Sequence, residues 1–348
     1  MRRLRYIGKR ALLAIPVIWI GTSFTWAAIF LGPIDPAAAI VGQQPTDSSQ
    51  YEAIRDNLGL NDPPREQYLD FMTDMAVFDL GQTWIVYAGS DVNALILDFL
   101  PQTLWLGFWS VVIAVFAGVP LGFYAGVRSN TLADYITSFA GISWRAMPNF
   151  WLAAVILSIL INFKSLTGVE WELLGVQVGA ITGNPGLSYM GTNPLNLFLK
   201  PMETLRAIKK IAPAALVLGS ASMGNEIRIG RTAVIEVKNR QFIDFARAKG
   251  VSDRRLLWKH VLRNALIPLV PIITTEAFLL IGGSVLVESV FGISGMGSLF
   301  LRAAIEGDIP VLGTLMYVFI LMLVSINLLQ DVLYTLIDPR IGLEGEGT

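Results

Sequence analysis

The residues best placed to do chemistry are ionisable side chains inside otherwise apolar segments. Arg145, Glu226 and Glu276 each lie in such a segment. A charge inside a membrane is costly, so such residues are candidates for a substrate path, an ion site or a charge pair. We predict that Arg145 and Glu276 line a translocation path. Glu226 fits a position near a helix end or against a partner subunit better.

The other reactive residue types are few. The chain has one histidine, His260, and no cysteine. His260 lies in a basic segment without neighbouring ligands, which favours a structural role over metal binding. A nucleophilic serine would need an adjacent base and a zinc site would need a cluster of ligands; the sequence offers neither. We therefore expect no catalytic residue, no metal and no cofactor in this chain.

Two further patterns bear on nucleotide chemistry. The sequence contains no Walker motif, so ATP hydrolysis would have to come from another chain. The glycine-rich residues Gly292 to Gly297 lack the flanking strand and helix of a phosphate-binding loop. We interpret Gly292 to Gly297 as a tight external turn, within a turn-rich external segment that runs from Glu288 to Gly297.

Composition places these residues in a membrane protein. Hydrophobic residues make up 53% of the 348 residues and charged residues 15%, against about 25% charged in a typical soluble domain. Several apolar runs reach the ~20 residues needed to cross a bilayer. We predict an all-α polytopic membrane protein.

The first apolar run follows a basic segment, residues 1–10, which we place in the cytoplasm. The run itself, residues 11–31, is longer than the roughly 7–15 apolar residues of a signal peptide. We predict that it is the first transmembrane helix. Residues 32–98 contain no spanning run and form an acidic external loop, with eleven acids and two arginines between Ile34 and Asp98.

The remaining spans lie in a predicted transmembrane core, residues 99–337, which is followed by a cytoplasmic tail, residues 338–348. We place them at about 99–127, 134–163, 211–223, 267–290 and 310–336. The run 211–223 is short for a crossing, but its helix could continue through the polar residues Gly224, Asn225 and Glu226 if these face protein or water.

Charge distribution supports this short span. Ten of the 26 basic residues lie between Arg228 and Arg263, so this segment should share the cytoplasmic side with the basic N-terminus. An even number of crossings must separate the two, which requires the fourth span. The sequence therefore predicts six spans with both termini in the cytoplasm, and it places a second external segment at Lys164 to Lys200.

Glycines mark one helix face in the second span. Gly118, Gly122 and Gly126 recur at every fourth residue, a spacing that lets membrane helices approach closely. We expect helix packing at this face and a kink at Pro120.

A polar cytoplasmic segment, residues 236–266, interrupts the apolar runs. We expect two short helices in it. Gly250 can adopt the left-handed conformation that ends the first helix, and Ser252 can cap the second, with Asp253 in its first turn.

The side chains of this loop suit contact with a partner. Ala246 and Ala248 permit close approach, and Phe242, Phe245 and Trp258 offer aromatic anchors. From the residues alone, an amphipathic loop that is solvated or bound to anionic lipid is an equal alternative.

Several motifs occur in a specific order along almost the entire chain. They are Leu58-Gly59-Leu60-Asn61-Asp62-Pro63-Pro64, Tyr68, Asp79-Leu80-Gly81, Ala246-Arg247-Ala248-Lys249-Gly250, His260, Arg263-Asn264-Ala265, Pro268, Glu288, Phe291, Gly295, Gly297, Asn327-Leu328-Leu329, Asp331, Tyr334 and Asp338-Pro339-Arg340. With these residues the chain resembles the integral-membrane permeases of binding-protein-dependent ABC importers, in particular the dipeptide/oligopeptide/nickel branch.

The resemblance implies a type I importer fold with cytoplasmic coupling helices that seat in a groove of an ATPase. It makes residues 236–266 the coupling loop. The residues implied to couple to the ATPase are Asp244, Phe245, Ala246, Arg247, Ala248, Lys249 and Gly250. Asp244 and Ala246 fit the family's general motif. Phe245 stands where that motif has an alanine, which implies a bulkier contact.

The implied function is that of a transmembrane permease subunit of an ATP-driven importer in the cell membrane, with di- or oligopeptides as substrates. The implied partners are a second homologous permease, two ABC ATPase subunits, an external solute-binding protein and the lipid bilayer, but no nucleic acid. Two alternatives stay open: the same role for nickel or another small solute, and an ion-coupled secondary transporter that uses Glu276 or Asp331 as its ion site.

Overall fold

The structure is a computed structural model, and it describes residues 2–32, 37–38, 48–57, 59–168, 172–173, 176–177, 183–189, 195–282 and 284–337. The predicted tail, residues 338–348, lies outside these described residues, as does the Asp338-Pro339-Arg340 motif.

Helices dominate the described chain, which confirms the all-α prediction. The helices are α1 (Arg2–Phe30), α2 (Ser48–Asn57), α3 (Pro64–Val77), α4 (Val92–Val127), α5 (Leu132–Arg145), α6 (Asn149–Ile161), α7 (Phe163–Thr167), α8 (Asn196–Leu199), α9 (Pro201–Lys238), α10 (Gln241–Ala248), α11 (residues 253–282), α12 (Val285–Phe291), α13 (Met296–Glu306) and α14 (Ile309–Ile337). A two-residue antiparallel pair, β1 (Glu172–Leu173) and β2 (Val176–Gln177), accompanies them.

Length and composition identify the helices that could cross a membrane. Within the described residues, four segments are long and apolar enough to cross a membrane: 7–30, 92–127, 253–276 and 309–332. The number rises to six if each of two helix pairs broken by a short turn, α5–α6 and α12–α13, counts as one span. Helix α9 is not among them, so the predicted fourth span continues to rest on the charge distribution.

Residues 1–101 and 295–328 form one compact unit. Its core includes Met75, Val92, Met296, Leu299 and Leu315. The buried carboxylate of Asp308 accepts hydrogen bonds from the backbone N–H groups of residues 84, 85 and 86, at 3.3, 2.8 and 2.8 Å. This bond set fixes an irregular part of the predicted external loop to the start of α14. Helices α2 and α3 also lie within the predicted external loop.

The described residues of 102–294 and 329–337 form the second unit. Helix α9 runs through its centre, and the glycine face of α4 packs against it. A Cβ atom at Gly118 would lie 2.9 Å from Cβ of Glu226, and one at Gly122 would lie 2.7 Å from the carbonyl oxygen of Ile227. The predicted packing role of these glycines is therefore confirmed.

Pro120 is associated with a distortion of α4, as expected, but the distortion takes the form of a widened turn. Residues Ala114–Gly118 form a π-helical turn directly before it. Proline has no N–H to donate and its ring crowds the carbonyl four residues earlier. The extra residue in the turn accommodates both effects. Helix α4 also begins at Val92, before the predicted start of the span at residue 99.

The third predicted span is not one helix. Helices α5 and α6 meet at an angle of 96°. Pro148 is extended, with φ −62° and ψ 133°, and serves as the N-terminal cap of α6. The residue before a proline avoids the helical region, so α5 cannot continue through Met147.

The segment around Glu288 was also predicted wrongly. Glu288 to Phe291 are helical residues of α12, and Met296 begins α13, so that only residues 292–295 form the turn. Helix α12 places Val287, Glu288 and Phe291 in the interior. Their burial stabilises a helix, although the glycines and serines of the segment are typical of a turn. The predicted fifth span, 267–290, is likewise divided between α11 and α12.

Candidate functional sites

Helix α10 is the first of the two short helices predicted in the coupling loop. Ile243 is its buried residue, and it lies in an apolar cluster with Val234 of α9 and with Leu256, Val261 and Ala265 of the following segment. Most of the other side chains of α10 face outward. One apolar anchor thus holds the helix on the protein while its outer face stays free.

A tight turn ends α10 at Gly250. The N–H of Gly250 donates to the carbonyl of Arg247 at 2.9 Å, and the N–H of Val251 donates to the carbonyl of Ala246 at 3.2 Å. These two bonds are the Schellman pattern, which requires a left-handed residue at the position of Gly250. Its φ of +77° meets that requirement, and the predicted role of Gly250 is confirmed.

The second predicted helix begins at Asp253, as expected, but it is the start of the long helix α11 and not a short helix. It also lacks the predicted side-chain cap. Ser252 occupies the N-cap position, and its hydroxyl makes no capping hydrogen bond. Its carbonyl instead accepts the N–H of Leu256 at 2.8 Å. Backbone geometry rather than the serine hydroxyl therefore starts this helix.

The outer face of the loop combines aromatic and basic side chains. Phe242, Phe245 and Trp258 are 44%, 63% and 66% exposed. The Lys249 ammonium lies 4.5 Å from the centre of the Phe245 ring, within cation–π range. Exposed aromatic rings of this kind are typical anchors of a protein interface.

The seven predicted coupling residues do not all face outward. Asp244, Phe245, Arg247, Ala248, Lys249 and Gly250 are exposed, whereas Ala246 is half-buried against the apolar cluster that holds Ile243. Asp244 and Arg247 form an exposed ion pair of 3.7 Å on the outer face. The small side chain of Ala246 thus lets α10 pack closely against the chain's own core.

A second candidate site is a polar cluster where α9 meets α11. Glu276 accepts hydrogen bonds from the hydroxyl of Ser222 and the side-chain amide of Asn225, both at 2.8 Å. The amide oxygen of Asn225 in turn accepts a bond from Arg228 at 3.1 Å. The polar residues of α9 thus face protein, the arrangement that a membrane location of this helix would demand.

Arg145 and Glu226 lie near this cluster without joining it. Glu226 is 1% exposed, and its Oε2 atom is enclosed without a hydrogen-bond partner. Arg145 is exposed at the end of α5. Among the described side chains, no ion pair joins Arg145 to Glu226 or Glu276. The two predicted path residues, Arg145 and Glu276, are therefore not bonded to each other; the hydrogen-bond partners of Glu276 are Ser222 and Asn225 of α9.

Sequence reasoning missed an ion pair between the buried Asp134 of α5 and the partly exposed Arg231 of α9. The guanidinium donates two hydrogen bonds to the carboxylate, at 2.5 and 2.8 Å. The only signal in the sequence was an acid in the first turn of α5 and an arginine in a basic segment 97 residues later. Spacing along the chain could not pair them.

Family models match both parts of the chain. Residues 118–343 match the model described as the binding-protein-dependent transport system inner membrane component. Residues 3–107 match the corresponding N-terminal model of such membrane components.

Individual relatives agree with these matches. The chain is 32% identical to the oligopeptide transport system permease protein AppB of Bacillus subtilis, over 97% of this chain and 98% of the relative. It is 30% identical to the dipeptide transport system permease protein DppB of Alkalihalophilus pseudofirmus, over 97% and 99%.

Among solved structures, the fold resembles an inward-facing MetNI methionine ABC transporter chain. The TM-score is 0.52 at 18% identity, and the alignment covers 70% of this chain and 96% of that chain. This similarity concerns the fold.

Proposed function

Because the chain belongs to the binding-protein-dependent transport system inner membrane components, we propose that it forms half of the peptide path of an ATP-driven importer. It is an integral, multi-pass protein of the inner membrane and the permease component of its transport system. A second homologous permease would complete the path, and two ABC ATPase subunits would supply the energy. An external binding protein would deliver the substrate.

Di- and oligopeptides are the proposed substrates. The relatives that match over nearly their full length are named for oligopeptide and dipeptide transport. The family match also favours ATP-driven transport over the ion-coupled alternative. Nickel and other small solutes are the competing substrates within the same ATP-driven class.

The observation that carries the mechanism is the shape of α10. It is a short helix pinned by Ile243 and ended by a left-handed glycine, with an exposed face of aromatic and charged residues. A partner bound to this face would displace the helix as a rigid body. Closure of the ATPases would then displace α10 and switch the bundle between inward-open and outward-open states.

Reconstitution tests this function. Proteoliposomes that contain both permeases and both ATPases, with binding protein outside, should accumulate a labelled peptide only when ATP is inside. Uptake by the permeases without the ATPases, driven by an ion gradient, would establish the ion-coupled alternative instead. Saturating nickel added together with the labelled peptide should leave peptide uptake unchanged.

We also propose that both termini and the coupling loop face the cytoplasm. Because the chain has no cysteine, single cysteines report the side of the membrane directly. Ser252→Cys should react with a membrane-impermeant maleimide only after the cytoplasmic face is opened, whereas Ser165→Cys, in a predicted external segment, should react on intact cells. Labelling of Ser252→Cys from outside would contradict the topology.

Glu276 is the proposed charged residue of the path. Glu276→Gln keeps the side-chain shape and one acceptor oxygen but removes the charge that Ser222 and Asn225 now solvate. We expect peptide uptake in the same proteoliposomes to fall roughly tenfold, the effect of about 1.4 kcal/mol. The matched variant Glu306→Gln removes a carboxylate from a long surface ion pair of 3.8 Å and should retain full uptake. Equal uptake by both variants would remove Glu276 from the path.

A further inference from the structure

The buried Asp134 carboxylate is saturated with hydrogen bonds. Asp134 is 1% exposed. Besides the two bonds from Arg231, it accepts the backbone N–H of Asn130 at 2.8 Å and the hydroxyl of Ser138 at 3.3 Å. A bidentate arginine–carboxylate pair has a fixed geometry, and burial reduces its screening by salt. This pair therefore fixes the start of α5 to α9.

A second basic residue of α9 holds the other side of the same turn. The ammonium group of Lys238 donates to the carbonyl of Val127, the last residue of α4, at 3.0 Å. Between the two contacts, Asn130 adopts a left-handed conformation with φ +63°, and its N–H binds Asp134. The turn that joins α4 to α5, residues 128–131, is thus held at both ends by α9.

The same part of α9 also carries the coupling helix. Ala233 and Val234, which follow Arg231 within one helical turn, contribute to the apolar cluster in which Ile243 of α10 is buried. Phe123 and Val127 of α4 pack against that cluster. Backbone approach is close here too, because a Cβ atom at Gly126 would lie 2.8 Å from the carbonyl oxygen of Arg231.

We propose that Asp134 and Arg231 are positioning residues that lock α10, the end of α9 and the α4–α5 turn into one lever. This inference rests on the proposed function, because displacement of α10 can drive transport only if it is transmitted to the helices of the path. The apolar cluster links α10 to α9, and the ion pair carries the displacement on to α5. Without the pair, α10 would still bind its ATPase, but its displacement would not be transmitted to α5.

Transport per ATP is the readout that separates this role from mere stability. In the complete reconstituted transporter, Asp134→Asn should lower peptide uptake per ATP hydrolysed by roughly tenfold, a coupling effect of ordinary size. ATP hydrolysis should persist. The conservative Asp134→Glu should restore part of the ratio. Glu203→Gln breaks an exposed ion pair on the same helix and should leave the ratio unchanged. An unchanged ratio in Asp134→Asn would overturn the proposal.

A distance measurement on the otherwise native chain covers the case in which Asp134→Asn fails to assemble. Spin labels on Ser129→Cys and Gln241→Cys report the separation of the α4–α5 turn from α10. The lever predicts the same label–label distance before and after ATP is trapped in the complete transporter. A shift in that distance would overturn the lever. Loss of ATP-driven uptake by the native complex would instead overturn the proposed function itself.

Discussion

Replacing Gly250 with valine is expected to leave ATP hydrolysis running while peptide uptake per ATP falls by roughly tenfold or more. Gly250 has φ +77°, and a Cβ atom there would meet nothing within 4 Å. The cost is therefore backbone strain and not a clash. A non-glycine residue in the left-handed region costs about 1–2 kcal/mol, and a β-branched residue is a genuine outlier there.

That strain acts on the Schellman turn. Valine would favour a negative φ, which would break the bonds to the carbonyls of Ala246 and Arg247 and change the angle at which the chain leaves α10. The exposed face of α10 would then meet its partner in the wrong orientation. Membrane insertion should be unaffected, because the turn lies in a solvated loop.

The chain offers a closely matched control for this variant. Gly168 ends α7 with φ +71° and also has nothing within 4 Å of a Cβ position, but it lies in a predicted external segment. Gly168→Val should impose similar strain and leave transport per ATP unchanged. Equal ratios in Gly250→Val and the native protein would show that the turn at Gly250 is not part of the coupling.

The second large effect is expected for Gly122→Val, which should destabilise the membrane bundle. A Cβ atom at Gly122 would lie 2.7 Å from the carbonyl oxygen of Ile227 and 2.9 Å from that of Glu226. Both are backbone atoms of α9, so no side-chain rotation can relieve the overlap. Overpacking costs about 1–3 kcal/mol where a core can adjust, and this contact should lie at the upper end of that range.

Thermal unfolding of the purified transporter measures this effect. Gly122→Val should lower the unfolding temperature and the yield of assembled complex. Gly8→Val is the matched control, because Gly8 is also helical and has nothing within 4 Å of a Cβ position. If both variants unfold at the native temperature, the close contact between α4 and α9 is not a main source of stability.

Sequence patterns predicted the local features well. The left-handed turn at Gly250, the glycine face of α4 and the distortion at Pro120 each follow from one residue type and its immediate neighbours. The inward-facing polar residues of α9 followed from charge balance, because a span was needed where hydropathy alone was too weak.

Features that depend on partners far along the chain were missed. The Asp134–Arg231 pair joins residues 97 positions apart, and the bond set of Asp308 joins residues more than 220 positions apart. The helix α12 around Glu288 depends on tertiary burial of Val287, Glu288 and Phe291. No local spacing encodes these contacts, since each is selected by the packed fold.

The direct test of the central claim is photocross-linking from the exposed face of α10. Benzoylphenylalanine at Phe245, 63% exposed, should form an adduct with the ATPase subunit in the complete transporter, and its yield should change when ATP is trapped. The same probe at Phe198, 77% exposed in a predicted external segment, should form no ATPase adduct. Adducts from Phe245 to lipid alone, with and without ATP, would contradict the assignment of this face as the ATPase contact.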